Sequence, residues 1–177
     1  MKTFKKILIV IAVIIALPFI IALFIKNEYE IKREIIINKP KQQVFDYVKH
    51  LKNQDYYNKW VQRDPKMKKD FRGNDGTVGF VYAWNSDTDA GEGEQEIKDL
   101  KDGEKIDIEI RFKRPMESIA KTPIMTESVW ENQTKVTWGM QGKSSYPLNF
   151  MNLFMDSMLG KDLETSLTSL KGILEKI

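Results

Sequence analysis

Asp87, Asp89, Glu92 and Glu94 crowd around Gly91 in the stretch GFVYAWNSDTDAGEGEQEI, residues 79–97. Alternating carboxylates ahead of a glycine suggest a calcium loop. An EF-hand loop, however, needs a third oxygen ligand before its glycine and a bidentate Glu at its twelfth position, between two helices. Here the flanks alternate as strands do, so the acids are expected to solvate a hairpin and no metal site is expected. Other groups with chemistry are sparse. His50 is the single histidine and cysteine is absent, too few groups for a zinc site of the usual kind or a nucleophilic triad. His50 is expected to act as a surface cap at a helix end, where a cation is mildly favoured. Acid–base catalysis would fall to a carboxylate such as Glu127 or Glu131 in a cavity with a raised pKa. Alternation instead places Ser128 and Trp130 inward on that strand, and Glu117 follows a proline turn with no face assigned. No catalytic residue and no cofactor is expected. Asn132-Gln133-Thr134 matches a glycosylation sequon, but a hairpin turn explains the asparagine equally well.

The elements that position these residues begin with an apolar run. Ile7 to Ile25 carries no charge, and at about 1.5 Å per helical residue it spans roughly the 30 Å hydrocarbon core of a bilayer. A cleavable signal would have a shorter apolar stretch and a small-residue cleavage site, whereas the chain continues Phe24-Ile25-Lys26-Asn27-Glu28. The expected organisation is a basic tail over residues 1–6, a transmembrane helix over 7–25 and a folded domain over 28–177. Lys2, Lys5 and Lys6 favour a cytoplasmic N-terminus, with the domain on the other side. The whole chain carries 28 basic and 25 acidic residues. Without Lys2, Lys5, Lys6 and Lys26 the remainder is close to neutral, so it lacks the positive footprint of a nucleic-acid binder.

In the folded part, Tyr29, Ile31, Arg33, Ile35 and Ile37 share one face of a first strand. Pro40 precedes an amphipathic helix with Val44, Phe45, Val48 and Leu51 inward. Asn53 is expected to cap a second short helix holding Tyr56, Tyr57 and Trp60. MKKDFR, VGFVYAW, GEQEIKDL, KIDIEIRF, TESVWE and TKVTWGMQG then form an antiparallel meander of five or six strands. Pro147 opens a long last helix with a Leu163, Leu167, Leu170, Leu174 stripe that Phe150, Phe154 and Met158 are expected to extend. The class is α+β: a curved antiparallel sheet around one long C-terminal helix, order β-α-α-β(5-6)-α, after one transmembrane helix.

Five strings in this order resemble the START-like helix-grip (SRPBCC) superfamily, in particular members described as polyketide cyclase/dehydrase and lipid transport. They are REIIINKPKQQVFDYV, GFVYAWNSDTDAGEGEQEI, RFKRPMES, TKVTWGMQG and NLFMDSMLGKDLETSLTSLKGIL. Relatives often have a Trp- and Pro-rich stretch in the second short helix, where NQDYYNKW keeps only Trp60. The resemblance implies a hydrophobic cavity between sheet and C-terminal helix. It supplies no catalytic residues.

Alternation nominates the lining of that cavity: Phe80, Tyr82 and Trp84; Ile108, Ile110 and Phe112, in one set with Ile106; Trp130; Val136, Trp138 and Met140; and, from the helix, Phe154 and Met158. Tyr82, Trp84 and Trp138 would add polar handles to a mostly apolar pocket. The expected function is binding of a small hydrophobic or amphipathic, lipid-like ligand by a membrane-anchored domain. Its expected partners are that ligand and the bilayer around residues 7–25, not nucleic acid. A polyketide cyclase/dehydrase enzyme and a tethered protein-interaction module are the alternatives.

Overall fold

The structure is a computed structural model that describes residues 2–177, with side chains from Thr3 onward; Met1 of the basic tail lies outside the described residues. Helix α1 (Lys2–Ala22) contains the apolar run, with Pro18 inside it. Thr3–Ala22 is long and apolar enough to cross a membrane, and its apolar window is not buried by the rest of the chain. The helix stops before Ile25, because the Leu23, Phe24 and Ile25 amides fall back on the Ile20, Ile21 and Ala22 carbonyls in a tightened final turn.

Strand β1 (Glu28–Ile37) follows at once and shows the expected alternation, with Ile31 and Ile37 buried. Helix α2 (Lys41–Val48) buries Val44, Phe45 and Val48. The next helical stretch splits into two single turns, α3 (Gln54–Tyr57) and α4 (Lys59–Gln62). Asn53 does not cap α3 with its side chain, which donates instead to the Tyr47 carbonyl at 2.7 Å. The cap belongs to Asn58, whose Oδ1 accepts from the Trp60 amide at 3.0 Å and starts α4.

Seven strands follow: β2 (Lys68–Arg72), β3 (Val81–Asn85), β4 (Glu92–Lys101), β5 (Lys105–Arg114), β6 (Ser118–Lys121), β7 (Ile124–Trp130) and β8 (Gln133–Lys143). The extra one is β6, too short to show a pattern of its own, since Ala120 alone among its residues is buried. The sheet is antiparallel with order β1-β8-β6-β5-β4-β3-β2, and β7 pairs with both β5 and β8. The chain closes with a helical rod: a 3₁₀ turn at Leu148–Met151, α5 (Asn152–Met155), a π-turn at Asp156–Gly160, and α6 (Lys161–Leu174).

Helix α6 buries Leu163, Leu167, Leu170 and Leu174 against the concave face, each contributing about 2 kcal/mol of burial. On the convex face Arg111 bonds Glu94, Glu96 and Glu109 at 2.6–3.0 Å. That charged face meets water while the apolar one meets the helix, as an antiparallel sheet permits.

Candidate functional site

The register brings the inward residues together in two groups. At the end far from α1 the interior is closed. Phe45, Tyr57, Phe80, Tyr82, Ile97, Ile106, Ile108, Ile124 and Val136 are buried between sheet and α6, with Trp138 beside them. At the end where β1 begins, concave-face residues remain only partly covered. Trp84, Ile110 and Phe112 all point to the helix side, because Trp84 pairs with Gly93, Ile110 with Gln95, and Phe112 with Gly93 and Ser118. Yet all three are only half-buried, as is Tyr29, while Met140 beside them is buried. The Trp84 ring lies over Gly93, where a Cβ would come within 2.7 Å of it, and meets Phe112 edge-on at 5.9 Å.

Three nominated residues lie elsewhere. A bulge between Ser128 and Trp130 shifts the register, so Trp130 pairs with Gln133 at the hairpin end and is 72% exposed. Phe154 and Met158 are 44% and 54% exposed. The leucine stripe, stepped back from Leu163 in fours, arrives at Leu159 and Met155. These two are the half-buried residues that pack on the core, and Phe154 and Met158 sit one position off that line.

The polar handles are occupied within the protein. Tyr82 donates to Asp55 Oδ1 at 2.7 Å, Trp84 to the Ala90 carbonyl at 3.0 Å, and Trp138 to Thr122 Oγ1 at 2.8 Å. Burial, and then the Asp55 carboxylate, hold the Tyr82 phenol above its ordinary pKa. Three polar features escaped the sequence reading. Gln95, inward between Gly93 and Ile97, exchanges two hydrogen bonds with Gln54 (3.1 and 3.3 Å), and Asn58 donates to Gln54 at 2.9 Å. The Tyr57 hydroxyl is buried without a hydrogen-bond partner, next to Trp138 at a ring separation of 5.8 Å. Arg33 reaches from β1 to the π-turn, forking onto Asp156 at 2.9 and 3.0 Å and bonding Glu164 at 2.6 Å. Alternation places Arg33 on the inward face of β1 as expected, and the same rule would have found Gln95; only their partners, distant in sequence, were not legible.

The acidic loop is a turn. Ser86 Oγ donates to Asp64 at 2.5 Å and accepts from the Thr88 amide at 3.0 Å, and Asp89 faces Arg63 at 3.5 Å. Gly91 takes φ +62° under the Arg114 carbonyl, where a side chain would collide. No group of three His, Cys, Asp or Glu residues that could hold a metal occurs among the described residues. His50 does not cap α2; its Nδ1 lies 3.7 Å from Asp75 and its ring covers Gly76. Glu127 pairs outward with Lys135 at 2.8 Å.

No family model matches this sequence, and no curated protein matches it either. Solved structures do match. Norcoclaurine synthase from Thalictrum flavum, in complex with dopamine and hydroxybenzaldehyde, superposes with TM-score 0.66 at 8% identity, over 89% of this chain and 92% of that one. Ara h 8.0201 gives TM-score 0.57 at 10% identity over 85% and 99%. A protein from Chromobacterium violaceum gives 0.58 at 13% over 82% and 97%. The fold is the helix-grip fold. At these identities the likeness fixes the architecture and not the chemistry.

Proposed function

We propose that this chain is a membrane-anchored member of the START-like superfamily. It takes up a small hydrophobic or amphipathic molecule at the open end of the grip. One observation carries the reading: Trp84, Ile110 and Phe112 face the helix side and are nevertheless incompletely covered. An apolar surface facing inward that its own helix does not seal is where an apolar ligand gains burial, at about 25 cal/mol per Å². Helix α1 serves as the anchor through residues 7–22 of the apolar run, with residues 28–177 as the binding domain on the extracytoplasmic side. The structural neighbour crystallised with two small aromatic molecules supports the fold's capacity for such ligands. An enzyme of the cyclase/dehydrase type needs a free inward acid or base, and the inward Arg33 and Asp55 are already paired.

Native mass spectrometry of the full chain, extracted from its own cells in mild detergent, is expected to reveal a bound lipid-like mass. Ile110→Glu and Phe112→Glu are expected to strip that mass and to abolish binding of the fluorescent probe N-phenyl-1-naphthylamine, with near-UV circular dichroism retained. Absence of both a bound mass and probe binding in the unmodified chain overturns the reading.

A further inference from the structure

The segment Tyr146–Met158 breaks the rule that an exposed helix shows a polar face. Tyr146, Leu148, Met151, Leu153, Phe154 and Met158 are all exposed. Asn149 and Asn152 are turned to internal duties, and the one charge in the segment is Asp156, whose side chain is 70% exposed. Asn149 donates to the Ala22 and Ile25 carbonyls at 2.7 and 2.8 Å, and Asn152 to those of Lys26 and Asn27 at 2.9 and 3.0 Å. Ser157 bonds the Phe154 carbonyl and Asp156 holds Arg33. Helical segments that are apolar nearly all round belong in a core or in lipid. This one lies outside the core, apart from Met155, which packs inward as Leu159 just after the segment does.

Its place in the fold decides between occupants. The four asparagine bonds fix the segment to the last turn of α1 and the linker after it, so it stays beside the point where α1 leaves the membrane. Leu23 and Phe24, the latter 83% exposed, add exposed apolar side chains at that junction. Exposed Lys26 and Lys161 stand beyond either part, where cations meet lipid headgroups. We propose that Tyr146–Met158 lies in the interfacial layer of the bilayer that α1 crosses, so that the open end of the grip faces lipid. This rests on the reading of α1 as an anchor. The same segment then touches lipid with Phe154 and Met158 and the grip with Met155, with Leu159 just beyond it, which makes a bilayer amphiphile the source of the ligand.

The chain has no cysteine, so single cysteines report cleanly. Phe154→Cys, Met158→Cys, Val13→Cys in α1 and Val78→Cys in the loop before β3 would each be labelled with NBD. The full chain would then be reconstituted into phosphatidylcholine–phosphatidylglycerol vesicles with brominated acyl chains. Labels at 154 and 158 are expected to lose fluorescence as the label at 13 does, while that at 78 does not. Quenching at 13 without quenching at 154 and 158 overturns the inference and leaves the anchor standing. A blue-shifted but unquenched label at 154 also overturns it, assigning the patch to a second protein. Absence of quenching at 13 overturns the anchor and this inference together. Ligand retention by mass spectrometry reports separately on the grip.

Discussion

Gly93→Ala sets two physical expectations against each other. Glycine inside a strand is disfavoured by about 0.5–1 kcal/mol relative to alanine, so local preference predicts a gain in stability. In the fold a Cβ at this position would lie 2.7 Å from the Arg111 carbonyl oxygen and 2.7 Å from the Trp84 ring. The carbonyl belongs to the neighbouring strand and cannot retreat without opening the β4–β5 ladder. The ring is held by its bond to Ala90 at 3.0 Å and its edge contact with Phe112. Overpacking of this kind costs about 1–3 kcal/mol, and release of the indole hydrogen bond adds about 1 kcal/mol. The variant should therefore be destabilised by about 1–3 kcal/mol, opposite in sign to strand preference. Trp84→Leu, combined with Gly93→Ala, removes the ring clash and leaves the carbonyl clash. The double-mutant cycle should then show coupling of about 1 kcal/mol. Urea denaturation of the four proteins in one mild detergent, followed by near-UV circular dichroism, measures these quantities, and naphthylamine binding should weaken as Trp84 tilts. A Gly93→Ala chain as stable as its parent, with unchanged aromatic signal, would refute the argument that Trp84 is seated on Gly93.

Two further outcomes follow from the buried polar groups and from the rod. Gln95→Leu leaves the buried Gln54 Nε2 without its acceptor and should cost about 1–3 kcal/mol in urea denaturation, whereas Gln54→Leu together with Gln95→Leu should cost less than the two single changes summed, because the two facing amides go together and only the Asn58 amide then loses a partner. The Arg33 guanidinium holds the Asp156 carboxyl below the ordinary aspartate range. That contribution is complete above the ordinary aspartate pKa of about 3.9 and is lost as pH falls through the lower folded value. Protection of the Leu153–Gly160 amides, taken relative to their intrinsic exchange rates, should therefore fall below about pH 4 in the native chain, while in Arg33→Met it should already be low at neutral pH.

Alternation was enough to place the concave face, because one slip of register would have turned Ile106, Ile108 and Ile110 toward water. The leucine stripe placed the C-terminal helix for the same reason. What failed were places where the period breaks. The bulge at Ser128–Trp130 turned Trp130 out of its strand's pattern. Along the rod, four-residue steps from Phe150 give Phe154 and Met158, whereas steps back from Leu163 give Leu159 and Met155, and only the second line packs on the core. The exposed Phe154 line could not be told from a core line by spacing, since an exposed apolar stripe and a core-facing one have the same composition. Asn149 and Asn152 mattered most and were invisible in sequence, because their partners are backbone carbonyls more than 120 positions away.

That remote pairing bears on how a binding domain of this kind would work. Moving an acyl-bearing molecule through water into a protein first exposes its chain, at about 0.8 kcal/mol per methylene. A chain of a dozen methylenes faces roughly 10 kcal/mol on that route. Under the proposal, passage from bilayer to grip across the Tyr146–Met158 segment would exchange one apolar contact for another, so little of that barrier would remain. Tethering by α1 alone would raise local concentration without lowering the barrier, because a domain on a loose linker still meets its ligand through water. The asparagine clamps remove the loose linker. On the proposed reading they would hold the open end of the grip at the membrane exit, and uptake would then depend on the segment's apolar contact with lipid and not on the solubility of the ligand.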